Sequence, residues 1–127
     1  MPLVRISVPH STTTKDIEAV SNAVHQALVA HCTVPIADKF HLVQRHTQDE
    51  LICTSEFLDV KHTNHVVMVQ IFLSIGRSLQ AKKTLYAQIA QQVAETSSFV
   101  ASDVIINLSE TTRDNWSFGN GIAQYAV

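Results

Sequence analysis

Glycine and proline are scarce. Each occurs three times in 127 residues, so no glycine-rich or proline-rich linker divides the chain. Cys32 and Cys53 are the only two cysteines, and they lack Cys-x-x-Cys spacing. That excludes a disulfide scaffold and fits thiols kept reduced. Charged residues are few, at 16%, and the net value of −2 lacks the basic excess of a nucleic-acid binder. Long apolar runs are missing too. VVMVQIFLSI, the longest, falls well short of a bilayer span, and LVRISV is too short for the core of a signal peptide and carries Arg5. There is no glycine-rich phosphate loop, no Gly-x-Ser-x-Gly elbow and no His-Glu-x-x-His helix. The expectation is a cytoplasmic globular chain, one domain over residues 1–127, with neither a membrane nor a nucleic acid as partner.

What is present is a hydrophobic pattern written twice. Runs near residues 3–8, 40–45, 66–73 and 103–109 predict strands. Ile17, Val20, Val24, Ala27 and Leu28 share one helical face behind the capping stretch STTTKD, and this helix should stop before Pro35. Tyr86, Ile89, Ala90 and Val93 predict a second helix, with Leu85 at the edge of the stripe and Ser78 as its cap. Sliding the chain by 65 residues lays Val4, Ile6 and Val8 on Val69, Ile71 and Leu73. It also lays Val20, Val24 and Leu28 on Leu85, Ile89 and Val93. Two β-α-β units follow, about residues 2–46 and 66–110. They predict an α+β two-layer sandwich: one four-stranded sheet, two helices on one face, parallel strands and right-handed crossovers within each unit. Asn120-Gly121 suits a type I′ turn and predicts a short C-terminal hairpin. The other sheet face would carry Leu3, Arg5, Ser7, Met68, Gln70 and Phe72. Half of that face is apolar, so other copies of the chain should cover it.

The repeat also shows where the halves differ: Pro2 stands opposite Val67, and Thr12 opposite Arg77. Removal of Met1 would turn Pro2 into a secondary amine, a good general base when burial keeps it neutral. Together, MPLVRISV, VPIADKF, IGRSLQAKK and NWSFGNGIAQY resemble the tautomerase superfamily, and more narrowly its malonate semialdehyde decarboxylase-like group. The resemblance spans nearly the whole chain. It implies a duplicated β-α-β fold, a homotrimer and catalysis by the amino-terminal proline, here Pro2. It further implies that Arg77 holds a substrate carboxylate, that Asp38 assists the proline or a water, and that Trp116 and Phe118 line the pocket. No cofactor is called for. One departure matters. Where decarboxylase members carry two arginines two positions apart, this chain reads Ser74-Ile75-Gly76-Arg77, so Ile75 replaces one anchor with an apolar wall. That favours keto–enol tautomerisation of a small 2-oxo acid such as phenylpyruvate. The alternatives are a decarboxylase or hydratase of a 3-oxo acid of the malonate semialdehyde kind, a non-catalytic ferredoxin-like ligand-binding module, or the family's fold without useful turnover.

Each of these residues also has a plainer reading. Pro2 is tolerated at the start of any strand. Arg77 could be a surface residue before its helix. Asp38 has a repeat partner in Asp103, which points equally to a shared turn or cap. Trp116 and Phe118 serve a core or an interface as readily as a pocket. The seven histidines form no metal signature, since His41 and His46 should point to opposite sheet faces and His62 and His65 lie in a connection. That connection, TQDELICTSEFLDVKHTN, either wraps over the site or a neighbouring subunit, or is a surface loop with Leu51, Ile52, Phe57 and Leu58 tucked down.

Overall fold

The structure, a computed structural model, describes residues 1–126. Strands β1 (Pro2–Pro9), β2 (His41–His46), β5 (Val67–Ser74) and β6 (Val104–Thr111) form one sheet in the order β2-β1-β5-β6. β1 and β2 run parallel, β5 and β6 run parallel, and β1 meets β5 antiparallel. Helices α1 (Thr14–His31) and α2 (Leu79–Thr96) connect the parallel pairs. β1 and β5 lie 65 positions apart, as do α1 and α2. The fold is therefore the duplicated β-α-β sandwich.

Local chemistry explains the elements. β1 and β5 bury every second residue, because side chains alternate across a sheet. Thr13 caps α1 by accepting a hydrogen bond from Asp16 N (3.1 Å), and Ser78 caps α2 by accepting one from Ala81 N (3.1 Å). α1 ends well before Pro35, at a turn where Thr33 adopts φ 55. Val4, Ile6, Val8, Val69, Ile71 and Leu73 from the sheet pack on Val20, Val24, Leu28, Leu85, Ile89 and Val93 from the helices. The stripe of α2 needs correction: Leu85 sits at its centre and is fully buried, while Tyr86 is half-buried at the flank.

Two further expectations change. The turn at Asn120-Gly121 forms, with φ 56 and 66 and a bond from Ile122 N to Gly119 O, but no strands flank it among the described residues. The small antiparallel pair lies instead in the connection, as β3 (Glu56–Phe57) and β4 (Val60–Lys61), around Leu58 and Asp59 at φ 49 and 65. That connection is only partly tucked down: Leu51 is half-buried, but Ile52, Phe57 and Leu58 are 81%, 62% and 82% exposed, so the tip of the hairpin faces outward. On the open sheet face Leu3, Met68 and Phe72 are half-buried and Leu42 is exposed.

Candidate active site

The two repeat-related aspartates have different lives. Asp103 is buried, and its two carboxylate oxygens accept from Thr63 N (2.8 Å) and Thr63 Oγ1 (2.6 Å). It anchors the connection. Asp38 is half-buried, and its Oδ2 lies 4.0 Å from the terminal amine of Met1. Its loop is pinned to α1: Ile36 O meets His25 Nε2 at 2.8 Å, and Lys39 Nζ donates to Asn22 Oδ1 at 3.1 Å. Val4 N donates to Phe40 O, which ties the far end of that loop to β1. A shared structural role thus accounts for Asp103 but not for Asp38.

Pro2 is buried in β1 opposite Leu73, so the chain's amino end is fixed against β5. Met1 lines the pocket beside it. This pocket, about 520 Å³, is lined by Met1, Thr33, Asp38, Ile75, Arg77 and Thr111, with Arg113 and Tyr125 completing the wall. Asp38, Ile75, Arg77 and the amino end, which the resemblance implies for one site, meet here. Trp116 and Phe118 are a correction: they do not line the pocket. Trp116 donates from Nε1 to Thr111 Oγ1 (2.7 Å) and stacks on Phe118 at 5.5 Å, and Phe118 meets the Tyr125 ring edge-on at 5.2 Å. They form a second layer that backs Tyr125. The reason is spacing: the turn at Gly119–Ile122 reverses the chain and brings Tyr125, not Phe118, to the wall.

Arg113 and Tyr125 were missed. A signal existed for Arg113. Ligands gather beyond the carboxyl ends of parallel strands, and Ser74 and Thr111 end the parallel pair β5 and β6. Arg113 follows two residues after Thr111.

The electrostatics are mixed. Burial lowers the pKa of the terminal amine from its usual value, the Asp38 carboxylate raises it, and the Arg77 and Arg113 guanidiniums lower it further; the net direction is down. A terminal amine at this position is thereby biased toward the neutral, basic form. Arg77 donates from Nε and Nη2 to Cys32 O (3.0 and 2.8 Å) and from Nη1 to Ser74 O (3.0 Å).

A second cleft of about 550 Å³ lies at the other end of β1. Pro9, His10, His46, Thr47 and Gln48 line it, and each sits 65 positions before Ser74, Ile75, Thr111, Thr112 and Arg113 of the first. Val66 replaces Met1. This cleft is the internal-repeat image of the first, without amine, Asp38 or arginine. His41 and His46 do point to opposite sheet faces. The first meets Ser21 of α1 through Nδ1 (2.7 Å), and the second lines this cleft. Among the described residues no group of three or more His, Cys, Asp or Glu is placed to hold a metal.

Comparison with known proteins adds to this geometry. A family described as "Tautomerase enzyme" matches residues 38–119. The chain is similar to the probable tautomerase YusQ of Bacillus subtilis (strain 168), at 28% identity over 124 residues, covering 98% of each chain. It is similar in structure to the FG41 malonate semialdehyde decarboxylase inhibited by 3-bromopropiolate, with TM-score 0.89, 31% identity, and coverage of 97% and 93%. A fused 4-OT symmetric trimer shares the fold, with TM-score 0.79, 21% identity and 98% of each chain covered.

Proposed function

The chain is an enzyme that belongs to the tautomerase family, and from that premise we propose that it interconverts the keto and enol forms of a small 2-oxo acid such as phenylpyruvate. The observation that carries this reading is the meeting of the amino end, Asp38 and Arg77 in one pocket. Removal of Met1 would leave the Pro2 nitrogen as the terminal amine against the same three charges. A neutral Pro2 amine takes a proton from C3 of the keto acid. The C–H electron pair becomes the C2–C3 double bond, the carbonyl π pair moves to oxygen, and the protonated Pro2 amine returns its proton to that oxygen. In the reverse direction the amine relays the hydroxyl proton to C3. Arg77 supplies positive charge that draws the carboxylate and steadies the enolate. Asp38 holds the amine in place and assists its protonation. Ile75, 59% exposed, offers an apolar surface to the rest of the substrate.

One observation favours a second reading. An aspartate 4.0 Å from the amine stabilises its cation. A cationic Pro2 would suit decarboxylation of a 3-oxo acid, the activity in the name of a structural relative at 31% identity. The partly apolar open face and the trimeric relative support a homotrimer.

Ultraviolet decay of the phenylpyruvate enol tests the reading. Protein whose intact mass confirms loss of Met1 should accelerate the decay, and Pro2→Ala and Arg77→Ala should lose most of the effect. Equal decay in all three proteins would sink it. Carbon dioxide release from malonate semialdehyde without enol turnover would favour the second reading.

A further inference from the structure

Two guanidinium groups face the pocket, and they are differently employed. Arginine has five N–H bonds and grips a carboxylate bidentately with two that share an edge. Arg77 has committed three of its own. Its Nε and Nη2 both point at Cys32 O, so that edge is closed, and Nη1 holds Ser74 O. Cys32 O also accepts from Thr33 Oγ1 at 2.7 Å. Thr33 is β-branched and sits at φ 55, a conformation that such residues avoid. Arg77 is thus the strut that holds a strained turn beside the pocket.

Arg113 is the reverse case. It is exposed, and among the described residues it makes no hydrogen bond or ion pair. Its Cζ lies 5.9 Å from the centre of the Tyr125 ring, and both residues line the pocket with Ile75 and Asp38. The ring backs one face of the guanidinium and leaves its edges open. Asp114, its chain neighbour, is occupied with Thr112 Oγ1 and does not neutralise it.

Resting on the reading proposed above, we infer that Arg113 captures the substrate's carboxylate bidentately, while Arg77 shapes the turn and supplies field. The second cation that Ile75 removes from the end of β5 returns from the end of β6. The substrate class that fits is a 2-oxo acid with one carboxylate and an apolar remainder. Tyr125, which backs the Arg113 guanidinium, is itself met edge-on by Phe118.

Calorimetry on the protein lacking Met1 tests this with two probes that cannot enolise: 3-phenylpropionate and its uncharged amide, 3-phenylpropionamide. Arg113→Ala should weaken the acid by about tenfold to a hundredfold, the range for losing a charge-assisted hydrogen-bonded pair. It should leave the amide within about twofold, and Arg113→Lys should recover part of the acid's affinity. With phenylpyruvate, KM should rise more than kcat falls. Unchanged acid binding in Arg113→Ala, an equal loss for the amide, or no acid binding by the unsubstituted protein would each overturn the assignment. Binding needs no turnover. A protein that fails to ketonise phenylpyruvate but shows Arg113-dependent acid binding would refute the proposed reaction and leave the carboxylate site standing.

Discussion

Three charged side chains act on one nitrogen at the amino end, and they do not agree in sign. Asp38 raises the amine's pKa, while Arg77 and Arg113 lower it along with burial. If the Pro2 amine left by loss of Met1 meets the same charges and works in its neutral form, activity rises with pH through the pKa of that amine. Asp38→Asn should move the inflection of kcat/KM to lower pH. Arg113→Ala, in its residual activity, should move it higher. A profile that ignores both substitutions would remove the amine from the mechanism. His41 makes a different pH prediction. Burial, Lys39 and His25 push its pKa down from 6.5 to about 4. The unfolded chain therefore binds the extra proton first. The stability from keeping His41 neutral is full above about pH 6.5 and is lost as pH falls toward 4. Thermal melts should show the midpoint dropping across that window, and His41→Asn should flatten the drop.

At the level of elements, the register of the repeat proved a better guide than the face of a single helix. The stripe on α2, taken alone, included Tyr86 and left Leu85 at its edge. The shift of 65 laid Leu85 on Val20, and both are fully buried. Leu85→Ala should cost about 2–5 kcal/mol of stability, whereas Tyr86→Leu at the flank should change it little; urea titration separates the two. Strands, helices and both caps were legible because periodicity and capping are local properties. The positions of Asp38, Ile75 and Arg77 were legible because the repeat and the resemblance named the strand ends. Trp116 and Phe118 were misplaced because a turn decides which aromatic ring reaches the wall, and the spacing of residues does not show how a tail folds back. Arg113 went unseen because it stands alone. Its role comes from being uncommitted, which only hydrogen-bond partners reveal. The hairpin at β3 and β4 escaped notice because its turn holds no glycine, and Leu58 is not a residue expected at positive φ.

At the scale of the whole molecule, two of the exposed apolar patches bear on assembly. One is the open sheet face with Leu42, Met68 and Phe72, and the other is the hairpin tip with Phe57 and Leu58. Assembly of three copies would cover both. Native mass measured by light scattering should be three times that of the chain, and the double change Leu42→Asp with Phe57→Asp should shift it toward the monomer. An unaltered trimer in that variant would place the interface elsewhere. The paired clefts at the two ends of β1 have a consequence for ancestry and stoichiometry. Duplicating a coding sequence copies every residue of a unit except its chain terminus. Val67 stands where Pro2 stands, but a peptide bond joins it to Val66, and an amide nitrogen has no basic lone pair to offer. The second cleft has no such amine, and His10, His46 and Gln48 stand where Ile75, Thr111 and Arg113 stand in the first. If the Pro2 amine is the catalyst, as proposed, each chain offers one such amine however many copies assemble, and only a cut in the backbone ahead of Val67 would create another.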